Sequence, residues 1–319
     1  MTSDTQGKAN FITFVIPCFN EGTTLTEIAK QLNNTFIDVN GSQLFKFLFI
    51  DDGSSDDTWN IIEELKKHNQ RIAGIRLSRN FGHQKALLAG LEYATRFSTY
   101  ILSMDCDLQH PVSAAKELVE LATTQGFDIV SGQRLKDEQN SLFKRSTSRL
   151  FYKTLNLMGA EIAPNVSDFR IMSQRAAQAL ISHGDAAFFT RGVISLIGFK
   201  QTVIPYRQAT RFAGSTKYST RKMLRLASEG ITSLSIAPLR LTFAISVILI
   251  LACIAMLIRI TIVWLAGEAV EGWASILFSI YALFGINFLL IGLQGEYVGK
   301  TYFQTLKRPR YIVQEILDN

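Results

Sequence analysis

From position 11 onward, short apolar runs alternate with polar turns and with stretches of helical spacing. Phe11 to Pro17 predicts a buried strand that breaks at Cys18-Phe19-Asn20-Glu21-Gly22, followed by a helix over Thr23 to Phe36 with a threonine cap. Phe45 to Ile50 predicts a second strand, ended by Asp51-Asp52-Gly53-Ser54-Ser55-Asp56, and a helix from Asp57 to about His68. A third strand, Ile72 to Leu77, runs into Ser78-Arg79-Asn80-Phe81-Gly82 and a helix from His83 to Arg96. A fourth, Tyr100 to Met104, breaks into Asp105-Cys106-Asp107-Leu108-Gln109-His110-Pro111 before a helix over Ser113 to Thr124. Phe127 to Ser131 is the fifth, ending at Gly132-Gln133-Arg134. Strands alternating with helices predict an α/β fold with a mostly parallel sheet covered on both faces.

The last third has a different pattern. Leu241 to Ile258 is continuously apolar and extends through Leu265 with Arg259 as its one interruption, and Trp273 to Leu293 is a second such run. Each is long enough to cross a bilayer core of about 30 Å. Basic residues precede the first run (Arg221 to Arg240) and follow the second (Lys300, Lys307, Arg308, Arg310), while the connector carries Glu268 and Glu271. That asymmetry puts both termini inside. Thr220 to Ile236 reads as an interfacial amphipathic helix, with Met223, Leu224, Leu226, Ala227, Ile231 and Leu234 on one side and Arg221, Lys222, Arg225 and Glu229 on the other. The expected layout is a cytoplasmic domain over 1–210, a basic juxtamembrane segment over 211–237, a two-helix transmembrane domain over 238–299 and a cytoplasmic tail over 300–319. Gly285, Gly292, Gly295 and Gly299 permit close helix contact, hence a homo-oligomer.

Composition narrows the class. With 319 residues, 47% of them hydrophobic, the chain can bury a core and is neither disordered nor fibrous. Cys18, Cys106 and Cys253 are far apart in sequence, have no metal-ligand spacing and read as small core residues. The net charge of +6 is concentrated, since Pro205 to Arg240 holds seven basic residues against Glu229 alone. Such a segment calls for an acidic partner, here a lipid surface or phosphates and not nucleic acid.

The candidate chemistry lies at the carboxyl ends of the strands, where open α/β sheets bind ligands. Asp105 and Asp107, two residues apart on a turn, with Gln109 beside them, supply the hard oxygen donors that suit Mg2+ or Mn2+ bridging a pyrophosphate. Asp51 or Asp52 is placed to accept from a base N–H or a ribose hydroxyl, and Gly53 permits the tight turn between strand and helix. No glycine-rich phosphate loop is present, so phosphates must be held by a cation and by side chains. Asp168 reads either as a site acid, orienting or accepting a proton, or as the cap of a helix over Arg170 to Leu180. His110, before a proline in a turn, reads as structural; His83 reads equally as a helix cap.

In combination, Val15-Ile16-Pro17-Cys18-Phe19-Asn20-Glu21, Ile50 to Asp56, Arg79-Asn80-Phe81-Gly82, Asp105 to Pro111 and Ser167-Asp168-Phe169-Arg170 resemble the family 2 glycosyltransferases of GT-A fold. The resemblance is to their polyprenyl-phosphate branch, which includes bactoprenol glucosyltransferases and dolichol-phosphate mannose synthase. It implies that Pro17, Phe19, Glu21, Asp51, Asp52, Asp105 and Arg134 contact the nucleotide sugar and that Asp105, Asp107 and Gln109 hold the metal. It further implies catalytic roles for Asp107 and Asp168, and phosphate or acceptor contacts for Lys144, Ser148, Arg211 and Lys217. Relatives often carry arginine where Lys144 stands, and lysine lacks the bidentate fork. The Gln-x-x-Arg-Trp motif of processive synthases is absent, which favours a single transfer per cycle. The expected activity is an inverting, metal-dependent transfer of one sugar, glucose from UDP-glucose first, to undecaprenyl phosphate at the inner membrane face. A flippase would act downstream. GDP-mannose or a UDP-linked modified arabinose are the alternative donors, and a non-catalytic membrane scaffold is the alternative class.

Overall fold

The apolar runs become strands because both of their faces are covered. In the computed structural model, which describes residues 10–37, 43–135, 166–183, 190–208, 237–266, 272–306 and 308–318, the five expected strands form as β1 (Asn10–Cys18), β2 (Gln43–Asp51), β3 (Ile72–Leu77), β4 (Tyr100–Ser103) and β5 (Ile129–Arg134). Between them lie α1 (Gly22–Thr35), α2 (Thr58–His68), α3 (His83–Ala94) and α4 (Val112–Gln125). Phe14, Ile16, Phe47 and Phe49 point from the sheet into one core with Leu25, Ile28 and Leu32 of α1, Trp59 and Ile62 of α2, and Leu118 of α4. Each large apolar side chain buried in this way contributes about 1.5–3 kcal/mol. The opposite face takes α3, where Gly90 comes so close that an added Cβ would lie 2.3 Å from Val15 Cγ1 and 3.1 Å from Ile50 Cδ1. The one polar side chain inside β1, Thr13, is satisfied by Ser98 Oγ at 2.6 Å.

The sheet has eight strands in the order β7-β5-β6-β4-β1-β2-β3-β8, completed by β6 (Val166–Ser173), β7 (Gln201–Tyr206) and β8 (Val313–Leu317). It is mostly parallel as expected but mixed, with six of the eight strands running the same way. The pairs β1–β2, β1–β4, β2–β3 and β5–β7 are parallel, whereas β6 runs antiparallel between β4 and β5, and β8 runs antiparallel along β3. The expected helix from Arg170 divides here. Asp168 and Arg170 alternate with Phe169 and Ile171, a period of two, so the segment to Ser173 is strand, and only α5 (Gln174–Ser182) is helical, capped by Ser173 Oγ accepting from Ala176 N. Asp168 therefore lies within a strand and is not the cap of this helix. A short helix α6 (Thr190–Leu196) follows.

Strand order has one consequence for function. The chain leaves β1 through α1 towards β2 on one side and arrives at β4, its other neighbour, from β3 through α3 on the opposite face. The carboxyl ends of β1 and β4 thus flank a switch point, the place where such sheets open a crevice.

Residues 1–230 with 309–319 form one compact unit and 231–308 another. The second contains α7 (Ala237–Leu265) and α8 (Trp273–Thr305), of 29 and 33 residues. Among the described residues one helical stretch, Ala282–Gly299, is long and apolar enough to cross a membrane, and most of its described side chains are exposed. The tail expected over 300–319 is two different things: the first residues continue α8 to Thr305, and Val313–Leu317 rejoins the sheet as β8. Five residues of mixed polarity along an edge give too weak an alternation to be read as a strand. The amphipathic helix expected over 220–236 lies outside the described residues.

Candidate active site

The loops after β1 and β2 are stitched together by short polar side chains. Asn20, in the left-handed region at φ 55°, donates its N–H to Ser54 Oγ (2.9 Å), and its Oδ1 accepts from Ser55 N (2.9 Å). Glu21 N donates to Thr58 Oγ1 at 3.0 Å and Gly22 N to Asp56 Oδ2 at 3.3 Å. Pro17 is buried beneath this join, while Phe19 is 45% exposed above it. The expected threonine cap does not form among the described residues: Glu21 stands at the cap position of α1, and Thr24 Oγ1 donates to its main-chain and side-chain oxygens.

Asp51, which ends β2, and Asp52, which follows it, have different partners. Asp51 is fully buried; Oδ1 accepts from Ser54 N at 2.9 Å, and Oδ2, 3.7 Å from Arg76 Nε, is a buried oxygen with no hydrogen-bond partner among the described residues. Asp52 turns the other way, its Oδ1 accepting from Phe81 N (2.7 Å) and Oδ2 from Gly82 N (2.8 Å), so its carboxylate ties down the loop after β3. Burial pushes its pKa up against those two hydrogen bonds. Gly53, at φ 67°, lies between the loops, with an added Cβ only 2.4 Å from Arg79 C.

The turn after β4 carries the second carboxylate pair. Leu108 is in the left-handed region at φ 59°, a conformation that a branched side chain rarely adopts, and Asp107 Oδ1 closes the turn by accepting from Gln109 N at 3.1 Å. Asp105 is bracketed by two histidines: Nε2 of His83 is 3.4 Å from Oδ1, and Nε2 of His110 is 3.7 Å from Oδ2. Nδ1 of His110 accepts from Asp105 N at 3.1 Å, which puts the ring proton on Nε2, facing the carboxylate. The His110 ring stacks on Phe169 at 4.6 Å with an interplanar angle of 10°, in agreement with a structural part. Burial lowers its pKa, opposed by the fields of Asp105, Asp107 and Asp168. Three site carboxylates thus gather around one buried ring.

Asp168 enters from β6. Its Oδ1 accepts from Arg170 Nη2 at 3.0 Å and from Thr190 Oγ1 at 2.5 Å, and its Oδ2 accepts from Gln84 Nε2 at 2.7 Å, with 9% of the residue exposed. Arg134, at the end of β5, is exposed. Lys144, Ser148, Arg211 and Lys217 lie outside the described residues. Sequence reading missed Thr190, for which no local pattern exists. Gln84 could have been found, since a histidine and a glutamine directly after the Gly82 break open α3 at the sheet's ligand-binding edge. Two of the three cysteines read as far apart in sequence, Cys18 and Cys106, are neighbours in space, and both are buried core residues. Burial and the hydrogen bond with Cys106 push the Cys18 thiol well up.

Among the described residues no three His, Cys, Asp or Glu side chains are arranged to hold an ion. The Asp105–Gln109 turn carries two carboxylates and an amide oxygen, the hard donor types that a divalent cation such as magnesium takes.

A mixed α/β sheet with acidic turns at its switch point is the arrangement of a GT-A-like fold, and the comparisons with known proteins give the family. Residues 13–197 match the Glycosyl transferase family 2 domain. The chain belongs to that family. It is 38% identical over 97% of its length to the uncharacterized glycosyltransferase YkoT of Bacillus subtilis (strain 168), covering 92% of that protein. It is 37% identical over 96% of its length to the prophage bactoprenol glucosyl transferase homolog of Escherichia coli (strain K12), covering 99% of it. To the bactoprenol glucosyl transferase of Shigella phage SfX it is 34% identical over 95% of its length, covering 98%.

Proposed function

We propose that the chain moves a single glucosyl unit from UDP-glucose to undecaprenyl phosphate, with inversion at the anomeric carbon, at the cytoplasmic face of a membrane spanned by α7 and α8. The observation that carries this reading is the likeness to bactoprenol glucosyl transferases along nearly the whole chain, helices included. Exposed apolar side chains along both helices, such as Ile248 at 65% and Phe288 at 70%, support insertion in lipid. The basic flanks put both termini inside.

In this reading Pro17, Phe19, Glu21 and Asp51 receive the nucleoside, and the orphan Oδ2 of Asp51 awaits a base N–H or ribose hydroxyl. Asp52 contributes by holding the neighbouring loop. Asp105, Asp107 and Gln109 face the pyrophosphate and would hold Mg2+ or Mn2+, which supplies neutralisation of the charge developing on the leaving diphosphate. Arg134, Lys144, Ser148, Arg211 and Lys217 are assigned to the phosphates of donor and acceptor. Asp168 sets its negative charge near the anomeric carbon, where positive charge develops. A lipid phosphate is already ionised near neutral pH, so Asp168 need not take a proton. The product leaves on the inner leaflet, which calls for a flippase, and the open space at Gly285, Gly292, Gly295 and Gly299 accommodates a second copy.

The test is a donor panel. Membranes carrying the full chain are supplied with undecaprenyl phosphate and labelled UDP-glucose, GDP-mannose or a UDP-linked modified arabinose, each with Mg2+, Mn2+ or EDTA. Lipid-extractable label from UDP-glucose, lost with EDTA, is the expected result. Transfer from another donor would correct the sugar, and neither binding nor transfer of any donor would leave a non-catalytic scaffold.

A further inference from the structure

Two consecutive side chains at the start of α3 reach two different carboxylates of the site: His83 approaches Asp105, and Gln84 donates to Asp168. Neighbouring helix positions point about 100° apart, so one helix end spans the gap between the β4 turn and β6. That helix end is itself fixed. Both oxygens of Asp52 hold the N–H groups of Phe81 and Gly82 just before it, and Ala86 to Leu91 are buried against the sheet behind it.

We propose that Gln84 is a positioning residue, whose amide fixes the orientation of the Asp168 carboxylate at the reacting sugar. The proposal rests on the role given above to Asp168. The carboxyl torsion of an aspartate is broad, so hydrogen bonds and not rotamer preference decide where its oxygens point. Arg170 and Thr190 hold Oδ1; Gln84 holds Oδ2. The amide has one workable orientation towards Asp168, because a flip would press its oxygen, an acceptor, against the carboxylate. Gln84 also belongs to a different element from the other two donors, so α3 and β6 are held in register through this contact. Loss of it leaves the nucleoside loops of β1 and β2 untouched and removes one of the bonds that fix the carboxylate's orientation.

The experiment compares wild type, Gln84→Met, Gln84→Glu and Asp168→Asn, each as the full chain in detergent with UDP-glucose and undecaprenyl phosphate. Gln84→Met keeps the side-chain length without a donor, and kcat should fall about tenfold to a hundredfold with KM for UDP-glucose within twofold of wild type. Gln84→Glu sets two carboxylates against each other, which raises the pKa of the pair. Its activity relative to Gln84→Met should therefore rise as pH falls from 8 to about 5.5, as the shared proton restores the donor. Among the described residues the charged or titratable groups nearby are Arg170 on β6, Asp105 and Asp107 on the β4 turn, and the rings of His110 and His83, and Gln84→Met, which keeps all of them and adds no carboxylate, is the reference for the pH profile. A purely structural part for Gln84 would give no such acid rescue. Wild-type kcat in Gln84→Met, or a flat ratio in Gln84→Glu, with Asp168→Asn inactive overturns the proposal alone. Wild-type activity in Asp168→Asn overturns the role of Asp168 and the proposal with it.

Discussion

Asp51 and Asp52 are adjacent in sequence and serve different ends. On a strand successive side chains alternate, so one keeps an oxygen unfilled in the interior at the end of β2 and the other anchors the loop after β3. The sequence made this pair conspicuous, but not the division of labour, which depends on where Arg76 and the Phe81–Gly82 loop come to lie. Gly53 was legible as a tight turn; that it also makes room for Arg79 needed the tertiary structure. Gly53→Ala should lower the melting temperature by at least about 4 °C, since the left-handed backbone alone costs about 1–2 kcal/mol and the clash with Arg79 adds to it. Gly126, at φ 63° but with nothing within 4 Å of an added Cβ, is the control, and its alanine variant should lose less. Equal losses in the two would show that the loops do not meet at Gly53.

Among elements, the strands buried on both faces were legible because an uninterrupted apolar run has few other uses. β6 was not, because Arg170 is charged yet buried, a combination made tolerable by hydrogen bonds such as those to Asp168 and Ser167. β8 was missed for the opposite reason: its residues are mostly exposed. It is nonetheless fastened to the sheet domain. Asp318 pairs with Lys46 and accepts from Tyr93 Oη at 2.8 Å, Tyr311 donates to Glu92 at 2.5 Å, and Arg310 is 3.7 Å from Glu92. Burial and the Asp318 carboxylate push the Tyr93 pKa up to about 12. A group raised in this way contributes stability that is intact below its ordinary pKa near 10 and is lost as pH climbs towards 12. Asp318→Ala should cost about 1.5–3 kcal/mol at neutral pH, as charge-assisted hydrogen bonds are lost and Lys46 is left with little solvent. Deletion of 309–319 should go further and expose the edge of β3 to aggregation. Unchanged melting and a monodisperse truncated protein would show that β8 is dispensable.

For the whole molecule, hydropathy announced two very different parts before any fold was visible. Runs of about 20 apolar residues and clustered cations are compositional signals that survive without tertiary knowledge. The sheet's order was not legible, since strand neighbours β4 and β1, or β3 and β8, are far apart in sequence, and it is this order that brings Asp105 and Asp107 to the switch point beside Phe19 and Glu21. The central claim is that this crevice serves one direct displacement by a lipid phosphate, in which Asp107 is indispensable. It is tested most directly by isolating the lipid product from the full chain and from its Asp107→Asn variant, and by determining its mass and anomeric configuration by NMR. The account predicts one hexosyl unit per polyprenyl phosphate, with a configuration opposite to that of the donor and no product from the variant. A retained configuration, a longer saccharide or undiminished product from Asp107→Asn would contradict it.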